Sequence, residues 1–517
     1  MPDYIVDQET PLPQLPAAFS GNNGPAETEI ETEIYPLLSN TRSVLLVAVL
    51  SSAGLLTILN VQSITIMLPS LGDALRIPPE RQQLVISIYS IASGSLMLLW
   101  GRLADTYGRR LVFLTGSTLF TLSSLFLPFS AHEIPFYILR VVQGLSGSAM
   151  MPSAIGIVAS IFPPGKARTR AYVTATAVAS LGSVLGSIFG GLVGSFLSWK
   201  WVFWIPAIIA AVTTVAAFLI TAIPAIRVNA GKIPGDNESV DWIGAALISF
   251  SLVLLLISLT QGDSLGWGTR WVPPLIVVAI LGLFAFVLFE YFLESRRNNH
   301  QPLLRVSMFR NPQFSALFIL VGMFYAAYNS FLVFVTYFYQ DYLGLSVLQT
   351  ALRFLPSGIT GIIVSFIVSP ALHRIQGFYV LLFGLFCGLG SPLLFAIPAI
   401  PPDTTYWACG FPAMCLCLSV EVVWPVVGLL IAKKLPQQDQ ALGAGLLQTV
   451  SQISRSLGLA VSTAVRTAVQ GAASNNNTQS RNPDYLRGLR AAQWMNVACV
   501  AVSTIIAVVF LRKLGRN

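Results

Sequence analysis

A chain of 517 residues, 54% hydrophobic and only 10% charged, cannot be an ordinary soluble domain, because such domains carry about a quarter charged residues. Its solvent is a lipid bilayer. The net charge of +8 does not point to nucleic acid, since Lys and Arg fall singly or in small groups between apolar runs, with no basic stretch interleaved with exposed aromatics.

In chain order, residues 1–42 come first, with Asp3, Asp7, Glu9, Glu27, Glu29, Glu31 and Glu33 against Arg42 alone. Too little there is apolar to bury, so a disordered acidic cytoplasmic tail without a signal peptide is expected. Within it Glu33-Ile34-Tyr35-Pro36-Leu37-Leu38 resembles an acidic dileucine sorting signal. That would direct the chain to a vacuolar or endosomal membrane; the plasma membrane is otherwise expected. From Ser43 onward fourteen apolar runs are long enough to span, since about 20 residues at 1.5 Å rise cross the hydrocarbon core. They cover 44–68, 84–100, 111–130, 135–161, 171–197, 201–224, 242–260, 272–293, 313–340, 349–371, 378–399, 406–432, 442–468 and 491–511. An even number returns both termini to one face. With the amino terminus inside, 19 of the 30 Lys and Arg residues lie on the cytoplasmic face and seven on the other, which sets the orientation.

The turn Gly101-Arg102-Leu103-Ala104-Asp105-Thr106-Tyr107-Gly108-Arg109-Arg110 lies between the second and third runs. Arginine near the bilayer centre costs roughly 2.5 to 3.5 kcal/mol, so three of them hold this turn in water. Gly101 and Gly108 suit tight turns, and Asp105 stands four residues before Arg109, where a helix end can pair them. The spacing resembles the G-x-L-A-D-x-x-G-R-R loop of major facilitator transporters. Three more stretches carry the resemblance: Arg140-Val141-Val142-Gln143-Gly144, Trp199-Lys200-Trp201-Val202-Phe203-Trp204, and the glycines Gly182, Gly186, Gly190 and Gly191. Those glycines keep the spacing of an antiporter motif, with Ser187 in the place of its proline, and their plain reading is close helix packing. Leu372-His373-Arg374-Ile375-Gln376-Gly377 repeats the Leu103 to Gly108 spacing, as expected of parallel repeats. The resemblance therefore implies an all-α major facilitator fold: a six-helix bundle at 43–224, an inserted pair with flanking loops at 225–312, a second bundle at 313–513 and a cytoplasmic end at 514–517. Fourteen spans match the drug:proton antiporter branch, of the fungal multidrug type.

Glu421 is the one carboxylate deep in a run, and an intramembrane acid is a functional hypothesis by default. Arg455 lies at similar depth in the next run, so the two can pair. Arg140 is the third group expected to handle protons or substrate. The resemblance implies that runs 1, 4, 9 and 12 line the path, offering Asn60 and Gln62, Gln143 beside Arg140, Tyr325, Tyr328 and Asn329 on one helical face, and Trp424 one turn from Glu421. Such a lining suits a small or amphipathic solute, a cation over tyrosine faces among them. Asn60 stands where many relatives carry an aspartate.

The five cysteines lie in apolar segments without metal-ligand spacing. His132, His300 and His373 stand apart in loops, and no phosphate-binding loop or His/Asp/Glu cluster occurs. No metal, cofactor, ATP drive or enzyme activity is expected. The reading is a monomeric secondary transporter exporting drug-like or toxic solutes in exchange for protons. A facilitator or importer of a small polar solute is the alternative, and a nutrient sensor is disfavoured by the short polar segments.

The map has a direct check. In a eukaryotic secretory pathway Asn476 of Asn476-Asn477-Thr478, in an outward loop, should carry a glycan and Asn237 of Asn237-Glu238-Ser239 should not. Glycosidase mobility shifts in the two Asn→Gln variants read this out, and the reverse pattern overturns the fourteen-span map.

Overall fold

The computed structural model describes residues 39–77, 84–163, 165–220, 241–266, 268–295, 303–398, 402–435, 440–470 and 482–512. Most of the acidic tail, the dileucine-like stretch and the sequons at Asn237 and Asn476 lie outside the described residues. Every long element is helical: α1 (Asn40–Ala74), α2 (Leu84–Tyr107), α3 (Arg109–Phe126), α4 (Glu133–Ile161), α5 (Lys166–Phe196), α6 (Trp201–Ile220), α7 (Trp242–Leu265), α8 (Val272–Ser295), α9 (Pro312–Tyr337), α10 (Val347–Arg374), α11 (Gly377–Ala396), a broken α12 (Gly410–Leu416 and Ser419–Lys434), α13 (Gln440–Gln470) and α14 (Pro483–Phe510). Helices are what a bilayer permits, because each backbone N–H and C=O must be satisfied within its own segment.

Among the described residues 13 helices are long and apolar enough to cross a membrane. Helix α13, 31 residues long, falls outside that set because Gln448, Thr449, Ser451, Gln452, Ser454, Arg455 and Ser456 crowd its middle. It packs against α2, α9 and α14, and Thr449 and Ser451 are buried there, so protein rather than lipid meets its polar residues.

Helix α2 lies against α13, and α5 against α10; these two seams join the first six helices to the last six. At the first seam Gly445 lets α13 approach so closely that a Cβ there would stand 2.7 Å from the Met97 carbonyl oxygen. The inserted helices α7 and α8 pack on each other, with α7 also touching α2 and α13.

Three elements differ from the sequence expectation. The turn at 101–110 is almost wholly helical, since α2 runs through Tyr107 and α3 starts at Arg109. Run 12 is interrupted at Cys417–Leu418, where i→i+3 bonds replace the α pattern (Glu421 N–H to Leu418 O, 3.1 Å). Pro425 lies inside the second piece, Ser419–Lys434, where it leaves the Glu421 carbonyl without its usual helical donor. Gly191 is the third case. A Cβ at Gly182, Gly186 or Gly190 would stand 2.7, 2.8 and 2.7 Å from the carbonyl oxygens of Leu55, Leu59 and Ser63, whereas one at Gly191 meets nothing within 4 Å. The first three share the α5 face on α1, and Gly191 lies a hundred degrees round the helix.

Opposite signs follow on substitution. Gly186→Ala and Gly190→Ala should each destabilise by about 1–3 kcal/mol through overpacking. Gly191→Ala should be neutral or stabilising by up to about 1 kcal/mol, from helix propensity alone. Thermal unfolding of the detergent-purified variants measures both.

Candidate functional site

At the 101–110 face Gly108 is the single residue between two helices, with φ 110°, a conformation that favours glycine. The sharp turn brings Arg109 back onto Asp105. Arg109 Nε donates to Asp105 Oδ1 at 2.8 Å, and its Nη2 stands 2.7 Å from the same oxygen. The other carboxylate oxygen, Oδ2, accepts from the Leu442 N–H at 2.7 Å. Leu442 lies in the first turn of α13, where orphan N–H groups and the helix dipole favour an anion. Arg109 Nη1 also donates to the Gly156 carbonyl in α4 at 2.9 Å, and Arg110 Nη2 to the Phe218 carbonyl in α6 at 3.4 Å. One carboxylate thus latches the first six helices to the last six.

Arg140 is fully buried. Its Nη1 donates to Asn60 Oδ1 at 2.8 Å and Gln143 Oε1 at 2.6 Å, its Nε to the Val85 carbonyl at 3.1 Å, and Gln143 Nε2 passes on to Ser124 Oγ at 2.7 Å. The Tyr89 ring lies 4.7 Å from the guanidinium carbon. Asn60, Arg140 and Gln143 therefore form one cage spanning α1 to α4, with Arg140 Nη2 and Asn60 Nδ2 lacking a hydrogen-bond partner. Gln62 belongs elsewhere: it donates to Ser183 in α5 at 3.2 Å.

The second cluster is in the other half. Arg455 stands 4.9 Å from the centre of the Tyr325 ring, Trp424 packs on that ring at 5.4 Å and Tyr328 at 6.5 Å. Glu421 and Arg455 both act electrostatically on Tyr325. The expectation of an ion pair thus takes another form, with the guanidinium seated on a tyrosine face, so the ring expected to hold a cationic solute already carries the chain's own cation. Glu421 is buried at 6% exposure, backed by Gly361, where a Cβ would meet its Cγ at 3.1 Å. The helix break makes it the third residue of a new helix. Asn329 is half-buried one residue beyond Tyr328.

The face away from the latch holds a cavity of about 350 Å³ lined by Tyr339, Arg353, Asp403, Tyr406, Cys409 and Arg490, among others. Arg353 lies between Tyr339 and Tyr406, 4.9 and 5.3 Å from their ring centres, and Tyr406 Oη donates to the Arg353 carbonyl at 2.7 Å. In the turn ahead of α12, burial pushes the Tyr406 phenol up to about 12, with Cys415 adding and Arg353 opposing, so it remains a donor. Sequence reasoning missed Tyr89, Ser124, Leu442, Tyr339 and Tyr406. Only the in-run position of Arg353 signalled that aromatic partners were needed.

The sequence matches the profile of the Major Facilitator Superfamily over residues 50–459. It is 27% identical to the efflux pump terJ of Aspergillus terreus, over 89% of this chain and 85% of that one. With the cephamycin export protein CmcT of Amycolatopsis lactamdurans it shares 29% identity, over 79% of this chain and 82% of the relative. Its backbone is similar to the crystal structure of the human organic anion transporter MFSD10, with a TM-score of 0.62 at 16% identity, covering 90% of this chain and 99% of that one.

Loss of the latch should be visible directly. In Asp105→Asn, which loses the ion pair with Arg109 and the charge held at the α13 terminus, and in Gly108→Val, strained at φ 110°, a cysteine placed at buried Leu446 should label several-fold faster. Membrane insertion should be unchanged. Equal labelling rates would reduce the turn to a topology signal.

Proposed function

The chain belongs to the Major Facilitator Superfamily, and from that premise we propose that it exports small drug-like or toxic organic solutes in exchange for protons, by alternating access. That it is a multi-pass membrane transporter and no enzyme follows from the family itself. The direction of transport is supported by relatives described as an efflux pump and an export protein. In the orientation set by Lys and Arg, the latch closes the cytoplasmic face and the 350 Å³ cavity opens toward the outer one, an arrangement suited to releasing solute outward. The plasma membrane and a monomer complete this reading.

The observation that carries proton coupling is the setting of Glu421. It is buried, it begins the second piece of a broken helix, and it faces a tyrosine covered by Arg455. Broken helices of this kind place backbone termini at transport sites. Arg455 and the helix N-terminus favour the charged carboxylate, while burial opposes it. A rocking motion that alters the Arg455 distance therefore changes whether Glu421 holds its proton, which is the least apparatus coupling requires. Arg140 and Gln143 in the first half, with Tyr325, Tyr328 and Trp424 in the second, supply the polar and aromatic contacts for solute.

A second reading has one observation in its favour. Asn60 replaces the acid of many relatives and serves as a neutral acceptor for Arg140, which suits a facilitator of a small polar solute. Proteoliposomes tested with a panel of labelled drug-like solutes, with and without a pH gradient, separate the two.

Glu421→Gln should abolish gradient-driven transport, by at least tenfold, while sparing solute exchange, which moves no net proton. Arg455→Ala should lower expression more than the double variant with Glu421→Gln, because it leaves the acid without its cation. Full gradient-driven transport in Glu421→Gln removes Glu421 from the coupling, whereas the facilitator requires that the parent itself not respond to the gradient.

A further inference from the structure

At the latch face the inserted pair turns two carboxyl groups toward each other. Asp241 caps α7, its Oδ1 accepting from the Gly244 N–H at 2.9 Å. Glu290, in the last turns of α8, is 0% exposed, and Asp241 is 9% exposed. Gly244 lies where they converge: a Cβ there would stand 2.7 Å from Glu290 Oε1 and closer still to Asp241 Oδ2. Both Glu290 oxygens and Asp241 Oδ2 lack a hydrogen-bond partner of good geometry, and the Leu303 and Leu304 backbone lies beside Glu290.

Charges on every neighbouring element decide what this pocket holds. From α2 comes Arg102, 8% exposed, which acts on Glu290; Asp105 on the same helix is engaged by Arg109 and Leu442. Helix α13 carries no charged residue before Arg455. On α8 itself Glu294 accepts from the Ser307 N–H at 3.1 Å, and on the 306–310 turn Arg310 is exposed and Arg305 half-buried. Among the described residues, the pocket's charged groups are two carboxyls and the guanidinium of Arg102. Fully ionised, they leave one excess negative charge in a buried setting, where like-charged carboxylates do not both ionise.

We propose that Asp241 and Glu290 together hold one exchangeable proton, a site on the inserted helices that Arg102 links to the 101–110 turn. The pair binds and releases the proton as a unit. Arg102 stands three residues before Asp105 on one helix, so a shift of α2 that breaks the latch also moves the cation that balances the acids. The inserted helices thereby bring the proton occupancy of the latch face to bear on the turn, a role separate from Glu421 and independent of the solute.

Infrared difference spectroscopy of the full chain in nanodiscs, in a Glu421→Gln background, tests this through the protonated-carboxyl stretch. The parent should show the band at neutral pH. Glu290→Gln and Asp241→Asn should each abolish it, because one remaining acid is balanced by Arg102, and Arg102→Gln should extend it to higher pH. Asn retains the capping role at position 241, so Asp241→Asn suffices if Glu290→Gln does not fold. A band absent from the parent, or one that survives Asp241→Asn at full intensity, overturns the proposal. Neither result bears on gradient-driven transport, which reads Glu421.

Discussion

A guanidinium buried in a lipid-embedded bundle must receive its partners from the protein, and Arg140 shows how much structure that demand organises. Its donors reach α1 through Asn60 and α2 through the Val85 carbonyl, and Gln143 extends the chain to Ser124 on α3. Four helices are held in register by one side chain. Tyr89 closes the cage, and its helix comes near enough only because Gly144 and Gly147 offer no side chain. A Cβ at those positions would stand 2.6 Å from the Tyr89 carbonyl oxygen and 2.8 Å from its hydroxyl. Networks of this kind rigidify a core when nearly satisfied and destabilise it when broken.

The same solution recurs in the second half. Arg455 rests on Tyr325, Arg353 between Tyr339 and Tyr406, and Arg466 near Phe334, Tyr337 and Tyr485. Cation–π contacts are worth about 2 kcal/mol when desolvated, comparable to the insertion cost of an arginine, so a ring can make such a residue tolerable without a carboxylate. Acids are thereby left for other work. In the proposed roles, Glu421, Asp241 and Glu290 sit where charge balance is close, which is the condition for a proton to come and go.

Much of this was legible in the sequence, because a membrane span is a length-and-polarity signal carried by its own residues. Among the described residues, helices long and apolar enough to span fall on thirteen of the fourteen runs, and the run at 442–468 is a helix whose middle is too polar to pass as a span on composition. The Asp105–Arg109 pair was legible because it is local. The break in α12 was not signalled, because Cys417 and Leu418 carry no breaker of their own within an apolar run, so Glu421 read as a mid-helix residue. Partners distant in sequence were not legible: nothing near Asp105 points to Leu442, and nothing near Arg455 points to Tyr325. Glu290, near the end of the run 272–293, is not among the sequence candidates, since its burial depends on how α8 packs, which its own run does not encode.

The one-residue connection at Gly108 has a mechanical meaning. Consecutive Cα atoms are 3.8 Å apart across a trans peptide and the bond does not stretch, so the facing ends of α2 and α3 cannot separate. They form a crank rather than a hinge. When α2 tilts away from α13, the start of α3 must swing with it, and Arg110, gripping the Phe218 carbonyl on α6, carries the stroke to the far side of the first half. A longer, slack connection would absorb that motion locally; a taut one turns the release of a single carboxylate into displacement of three helices.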